Sequence, residues 1–178
     1  MYLPPEIRVG GGGKMYHKIS LKDAEKVYIK TFGGFDLYYK GKEIDFSNAR
    51  AKELLAVLVD QEGRDVGLRE MACILSDGEE DEAAKRAVHV AWSRLRKTLS
   101  SYGLSDIVRK RRGFYALNRS RIQCDCWEML EEGEDRYFMG EYMPEYSWAE
   151  VTLSYLLRKF EERETGKIEE AQTGQKNG

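Results

Sequence analysis

The residues of this chain that could do chemistry are its cations. Between Ala83 and Arg121, eleven lysines and arginines stand against a single acid, Asp106, whereas from Cys124 to Glu170 fourteen acids outnumber five bases. The whole chain carries a net charge of only −2, so the separation of sign holds the information rather than the total. A basic unit joined to an acidic extension is the charge footprint of a polyanion binder. No catalytic constellation competes with that reading. His89 has no nucleophile or carboxylate placed beside it by the sequence, and the glycine run Gly10 to Gly13 leads into Lys14-Met15 instead of the Gly-Lys-Ser/Thr of a phosphate loop. We expect no enzyme and no cofactor. Cys124 and Cys126 form a C-x-C, but His17 and His89 are the only histidines and no second cysteine pair exists, so a zinc site lacks ligands.

The elements that must position these cations can be read from apolar spacing. At 100° per residue, Ala84, Val88, Trp92, Leu95 and Leu99 fall within a narrow arc and form the buried stripe of a helix near residues 80 to 100. Across from that stripe lie Arg86, Val90, Ser93 and Lys97, with His89 and Arg96 on one shoulder and Arg94 on the other. Ile107 and Val108 begin a strand, Arg109, Lys110, Arg111 and Arg112 make a four-cation tip before Gly113, and Phe114, Tyr115 and Leu117 return. Upstream, Val27 to Thr31 and Phe35, Leu37 and Tyr39 alternate as strands, and Lys40-Gly41 sits where a two-residue hairpin turn belongs, returning through Glu43, Ile44 and Asp45. Ser47 is expected to cap a first helix built on Ala51, Leu54, Leu55, Leu58 and Val59 and ended by Gly63. Leu68, Met71, Ala72 and Leu75 predict a second, shorter helix with Gly67 at its start. Antiparallel sheet, three helices and hairpin, in that order, describe a winged helix-turn-helix of the α+β class. The candidate reading set on the third helix is Lys85, Arg86, His89, Val90, Ser93, Arg94, Arg96 and Lys97; the candidate wing set is Arg109 to Arg112.

Beyond the wing, a short helix is expected around Asp125 to Leu130, followed by a loop with Tyr142, Met143, Pro144 and Tyr146. A long amphipathic helix from Ser147 to Glu164 then shows the stripe Ala149, Leu153, Leu156, Leu157 and Phe160. The expected organisation is a flexible tail or linker over 1–24, a winged helix over 25–121, a helical extension over 122–164 and a frayed tail over 165–178. With 42% hydrophobic and 34% charged residues, the chain has the composition of a soluble globular protein. No apolar run approaches the roughly 20 residues of a membrane helix, and the N-terminus lacks the apolar core of a signal peptide. An odd number of cysteines gives no complete disulfide framework. The reading is cytoplasmic.

The run from Val27 to Leu117 resembles the OmpR/PhoB-type winged helix as found in SARP-like regulators. The resemblance is carried by Phe32-Gly33-Gly34-Phe35 in the leading sheet, Ala51-Lys52-Glu53-Leu54-Leu55-Ala56 in the first helix, Ser93-Arg94-Leu95-Arg96-Lys97-Thr98-Leu99 in the recognition helix and Gly113-Phe114-Tyr115-Ala116-Leu117 in the wing. It covers about half of the chain, and the order and spacing of the motifs are more specific than any one of them. The segments Gly140 to Met143 and Tyr146 to Glu150 resemble the helical extension of Firmicutes response regulators, which in related proteins begins a tetratricopeptide-like bacterial transcriptional activation domain. The extension is too short for a full repeat array, which needs about three units, and is expected to pack on the winged helix or to make a dimer contact.

The resemblance implies sequence-specific binding of double-stranded DNA by a transcription regulator, the output domain of a two-component response regulator. It implies further a polymerase-contacting loop at Ser76 to Asp81, with Asp77, Glu79 and Glu80, and a homodimer on repeated half-sites. The sequence departs from the family at Gly67, where a Ser or Thr usually caps the second helix, and at Ser76, where the family often has Trp. The residues before Val27 are too few for a receiver module, so the chain reads as an excised output domain or a stand-alone regulator, and Gly10 to Gly13 favours a linker. A second function class is a protein-interaction adaptor, in which Trp127, Tyr137, Phe138, Tyr142, Tyr146 and Trp148 of the acidic tail bind a partner and the winged helix is scaffold. That class predicts no affinity for duplex DNA.

Overall fold

The computed structural model describes the backbone of residues 6–10 and 16–174 and the side chains of residues 21–172. Its centre is the first helix, α1 (Ala49–Asp60), which buries Ala51 and every residue from Leu54 to Val59. Such all-round burial requires partners on several sides. One is the sheet β5-β4-β3-β9, in which β3 (Val27–Lys30) pairs antiparallel with β4 (Asp36–Tyr39) and parallel with β9 (Ile122–Cys124), and β5 (Lys42–Glu43) closes the edge beyond β4. The β4–β5 turn has the positive φ values, 50° at Lys40 and 76° at Gly41, that a tight hairpin requires. The other partners are α2 (Leu68–Leu75) and α3 (Glu82–Ser101), which pack on α1 and on each other. The wing hairpin, β7 (Val108–Arg111) and β8 (Phe114–Leu117), gains a third strand from β6 (Val66–Gly67), giving the order β6-β8-β7. This is the expected α+β winged helix.

Several expected boundaries shift. Residues 1–24 are not featureless, because β1 (Glu6–Gly10) and β2 (Tyr16–Ser20) form an antiparallel hairpin with Ile7 opposite Ile19. Its strands of five residues are too brief for a periodicity scan over longer windows to register. Gly11 to Gly13 of the glycine run lie outside the described residues. The cap of α1 is Asn48 instead of Ser47: its Oδ1 accepts from Ala51 N at 2.9 Å. Both residues have a capping side chain, and the helix phase selects the second.

The line drawn at residue 121 cuts through the core. Asp125, at the start of α4 (Asp125–Glu132), is 3% exposed and accepts hydrogen bonds from Thr31 N at 2.9 Å, Thr31 Oγ1 at 2.5 Å, Phe32 N at 3.1 Å and Cys126 N at 2.8 Å. It thereby staples the end of β3 to the extension. Trp127 Nε1 donates to Val59 O at 3.2 Å, Tyr142 Oη to Asp60 Oδ1 at 3.0 Å and Trp148 Nε1 to Glu53 Oε1 at 3.2 Å, so the extension covers the remaining side of α1. The last helix, α5 (Glu150–Gly174), runs past the expected fray point at 165, supported by Lys167, which pairs with Glu164 at 2.7 Å and Asp135 at 3.4 Å. Residues 175–178 of that segment lie outside the described residues. Of its expected stripe, Leu156 is buried and Leu153 and Phe160 pack against the core, but Leu157 is 38% exposed.

Candidate nucleic-acid interface

The third helix owes its start to Asp81, whose Oδ1 accepts from Ala84 N at 2.8 Å, with Glu82 following in the first turn. Its orientation is fixed by Ala84, Val88, Ala91, Trp92, Leu95 and Leu99, all buried against α1, α2 and the wing. The opposite face is open. Arg86, His89, Val90, Ser93, Arg94, Arg96 and Lys97 are all exposed, and Val90 presents an apolar side chain 57% exposed among cations.

The wing is locked to that helix from beneath. Tyr115 of β8 is fully buried, meets Trp92 of α3 edge-on with ring centroids 5.0 Å apart, and brings its hydroxyl to 3.4 Å from His89 Nδ1. Lys110 of β7 lies 5.0 Å from the Tyr115 ring centroid and places Nζ at 3.5 Å from the same His89 nitrogen. The tip turns at Arg112, φ 51°, and Gly113, φ 82°, and Arg109 to Phe114 are exposed.

Pairing sorts the eleven cations of the basic segment. Lys85 is held by Glu82 at 2.8 Å, Arg109 by Asp65 at 3.7 Å, Arg119 by Glu131 and Arg121 by Asp106. Lys85 is also only 26% exposed at its side chain, so of the eight expected helix residues it is the one drawn away from the open face. Among the described residues, Arg86, Arg94, Arg96, Lys97, Lys110, Arg111 and Arg112 make no ion pair. Most basic residues elsewhere on the winged helix are paired, among them Arg50 with Glu53, Arg64 with Glu70 and Arg69 with Glu80, while Lys26 and Lys42 make no ion pair among the described residues. Unneutralised cations thus collect on the open face of α3 and on the wing.

The α2–α3 loop carries Asp77, Glu79 and Glu80, all exposed, on a turn with positive φ at Asp77 and Gly78. Glu80 is committed to Arg69 at 2.6 Å, and the hydrogen bond from that guanidinium holds its carboxyl below the usual range. Asp77 and Glu79 make no ion pair among the described residues. The aromatic tail residues face inward: Trp127, Phe138 and Tyr142 are buried, Tyr137 packs against the core, and Tyr146 stacks on Trp148 at 5.3 Å. Cys124 and Cys126 are buried as well, which pushes both thiols well above their ordinary value. No group of three His, Cys, Asp or Glu among the described residues is arranged to hold a metal ion.

With this geometry the chain can be set beside solved structures. The fold is similar to that of EmbR. The structure concerned is Mycobacterium tuberculosis EmbR in complex with a low-affinity phosphopeptide, and it aligns at a TM-score of 0.61 with 16% sequence identity over 75% of this chain. The alignment takes in 42% of the EmbR chain, so this protein spans less than half of the length of EmbR. At that identity the likeness to EmbR speaks for the fold alone. No protein-family model matches the sequence, and neither does any curated protein. No helix among the described residues is long and apolar enough to cross a membrane.

The sequence missed β6 and the separation of paired from free cations. It also gave no weight to Phe114, which stands 49% exposed at the wing tip.

Proposed function

We propose that this chain is a sequence-specific, double-stranded-DNA-binding transcription regulator, with α3 as the reading helix and the wing as its clamp. The observation that carries the reading is the set of seven cations without an ion pair on one helix face and one hairpin, while most of the cations around them are neutralised within the fold. Leaving cations uncompensated costs folding free energy through mutual repulsion, and a phosphate backbone is the partner that removes that cost. The major groove, about 12 Å wide, admits a helix, and a hairpin beside it reaches the neighbouring phosphates or minor groove.

On this reading Arg86, His89, Val90 and Ser93 face base edges. Arg94, Arg96, Lys97 and Arg109 to Arg112 position the duplex through phosphates, Arg109 less than its neighbours because Asp65 holds it. The resemblance to response-regulator output domains supports a place in a two-component phosphorelay, working in the cytoplasm where the DNA is, with dimers on repeated half-sites. Asp77 and Glu79 offer free carboxylates to a basic partner such as RNA polymerase. A gel-shift series at low salt against a randomised duplex pool tests the core of the proposal: a shifted, enrichable fraction is expected. Absence of any affinity, unchanged by Arg86→Ala with Lys97→Ala, would return the chain to the adaptor class.

A further inference from the structure

Among the residues of the wing tip, Phe114 is the one that electrostatics does not explain. We propose that its ring enters the minor groove of bound duplex DNA and is the apolar wedge of the wing; the inference rests on the DNA-binding reading given above. The strand register places it. Phe114 pairs across the sheet with Arg111 on one side and Gly67 on the other, while its neighbour Tyr115 pairs with Lys110 and turns inward to Trp92. By the alternation of a strand, Phe114 therefore points away from the core. It is 49% exposed, one residue from the Arg112-Gly113 turn.

The ring sits over Gly67 of β6: a Cβ added there would lie 3.6 Å from Phe114 Cε1, in ordinary van der Waals contact, and the rest of the ring remains in water. An exposed aromatic beside Arg111 and Arg112, which make no ion pair among the described residues, selects its partner by chemistry. An apolar protein surface that covered the ring would have to strip water from both guanidiniums without compensation. Duplex DNA gives the guanidiniums phosphates and gives the ring sugar and base edges. The minor groove, about 6 Å wide, takes side chains from a hairpin tip but not the hairpin itself, and apolar wedges beside cations are how proteins open that groove.

The test uses the full chain and a 30-base-pair duplex recovered by that chain from a randomised pool. Dimethyl sulfate footprinting reads both grooves at once, since it methylates guanine N7 in the major groove and adenine N3 in the minor groove. Phe114→Ala is expected to bind about five- to tenfold more weakly at every salt concentration, from loss of the apolar area still exposed. Its line of log affinity against log salt should run parallel to that of the wild type. Adenine N3 protection beside the reading site should be lost, guanine N7 protection kept, and Phe114→Leu should retain part of both affinity and N3 protection. A photo-crosslinking benzoylphenylalanine at position 114 should join to a DNA strand, which covers the case of an alanine variant that fails to fold. Equal affinity, weaker binding with the adenine pattern intact, or no crosslink from a formed complex each overturns the wedge while DNA binding stands. If the wild type recovers no duplex, the DNA reading itself falls and the wedge with it.

Discussion

Replacing Arg111 and Arg112 together by alanine tests the wing where the structure makes a quantitative statement. Both guanidiniums are exposed at the hairpin tip and neither is ion-paired among the described residues, so each is free to displace a counterion from the duplex. If Arg94, Arg96, Lys97, Lys110, Arg111 and Arg112 each contact one phosphate while Arg86 reads bases, log affinity falls with log salt at a slope of about −5.4, and the double variant should show about −3.6. Between 50 and 200 mM salt, the wild type should lose about 1800-fold in affinity and the variant about 150-fold. Fluorescence anisotropy titrations at four salt concentrations, on specific and scrambled duplexes alike, measure both lines. The difference in slope should be the same on the two duplexes, because phosphate contacts carry no sequence information. Arg109→Ala provides the internal control: Asp65 already holds its guanidinium at 3.7 Å, so its removal should change the slope by less than one contact's share. Parallel lines for wild type and double variant would refute the assignment of the wing to phosphates, whatever the change in affinity at one salt concentration.

The remaining predictions concern the scaffold. Tyr115→Ala removes a fully buried ring from beneath the reading helix and should cost about 3 to 5 kcal/mol in chemical denaturation, whereas Tyr115→Phe gives up only the contact with His89 and should cost about 1 kcal/mol or less. Arg163 donates to Met129 O at 2.5 Å, which also accepts from Gly133 N at 3.2 Å, and to Leu130 O at 3.4 Å, both in the last turns of α4, and Arg163→Ala should lower stability by about 1 to 3 kcal/mol. Burial raises the Asp125 carboxyl above its ordinary 3.8, against the opposing hydrogen bonds from Thr31. A group bound to its proton more tightly when folded contributes stability that is complete below the unfolded value and is lost as pH rises through the folded one. Unfolding free energy should therefore decline as pH rises above 3.8, to which Asp60 and Glu128, both also raised mainly by burial, add in the same direction. Asp125→Asn should make that decline shallower; an identical pH profile by urea denaturation would show that the carboxyl does not act this way.

How much of this was legible in the sequence depended on the range of the interactions involved. The buried stripe of α3 and its open face are local, set by 3.6-residue spacing, and Arg86, His89, Ser93 and Lys97 stand where that spacing puts them. The Lys40-Gly41 turn was equally local. Pairings between distant segments were not. Arg109 meets Asp65 and Arg119 meets Glu131 only after folding, so a count of eleven cations could not show which were free. Strand β6 is two residues long and gains its identity from the register of β8 with Val66 and Gly67. Strand β9 is three residues long and is a strand because β3 has an open edge for it. Two local misses had a local signal: Asn48 beside the expected cap Ser47, and Lys85, since Glu82 three residues earlier on the same helix is a standard pairing distance.

The charge asymmetry takes on a different meaning once pairing is known. An acidic extension beside a basic reading face could have competed with DNA for the same cations. Instead its acids are largely engaged elsewhere: Glu128 and Glu132 with Lys22, Glu134 with Arg136, Glu162 with Lys159, and Asp135 and Glu164 with Lys167. Within the basic segment only Arg119 pairs with a carboxylate of the extension, Glu131, and its guanidinium also lies over the Trp127 ring at 4.5 Å, which fastens the base of the wing to α4. The extension is thus joined to the winged helix through apolar burial, the Asp125 staple and one arginine, and leaves the seven reading and clamping cations free. Removing it would free no further cation at the wing tip or on α3, but it would strip β9 from β3 and uncover α1. On the proposed DNA-binding reading, its contribution to affinity is therefore through the stability of the fold that holds α3 in place.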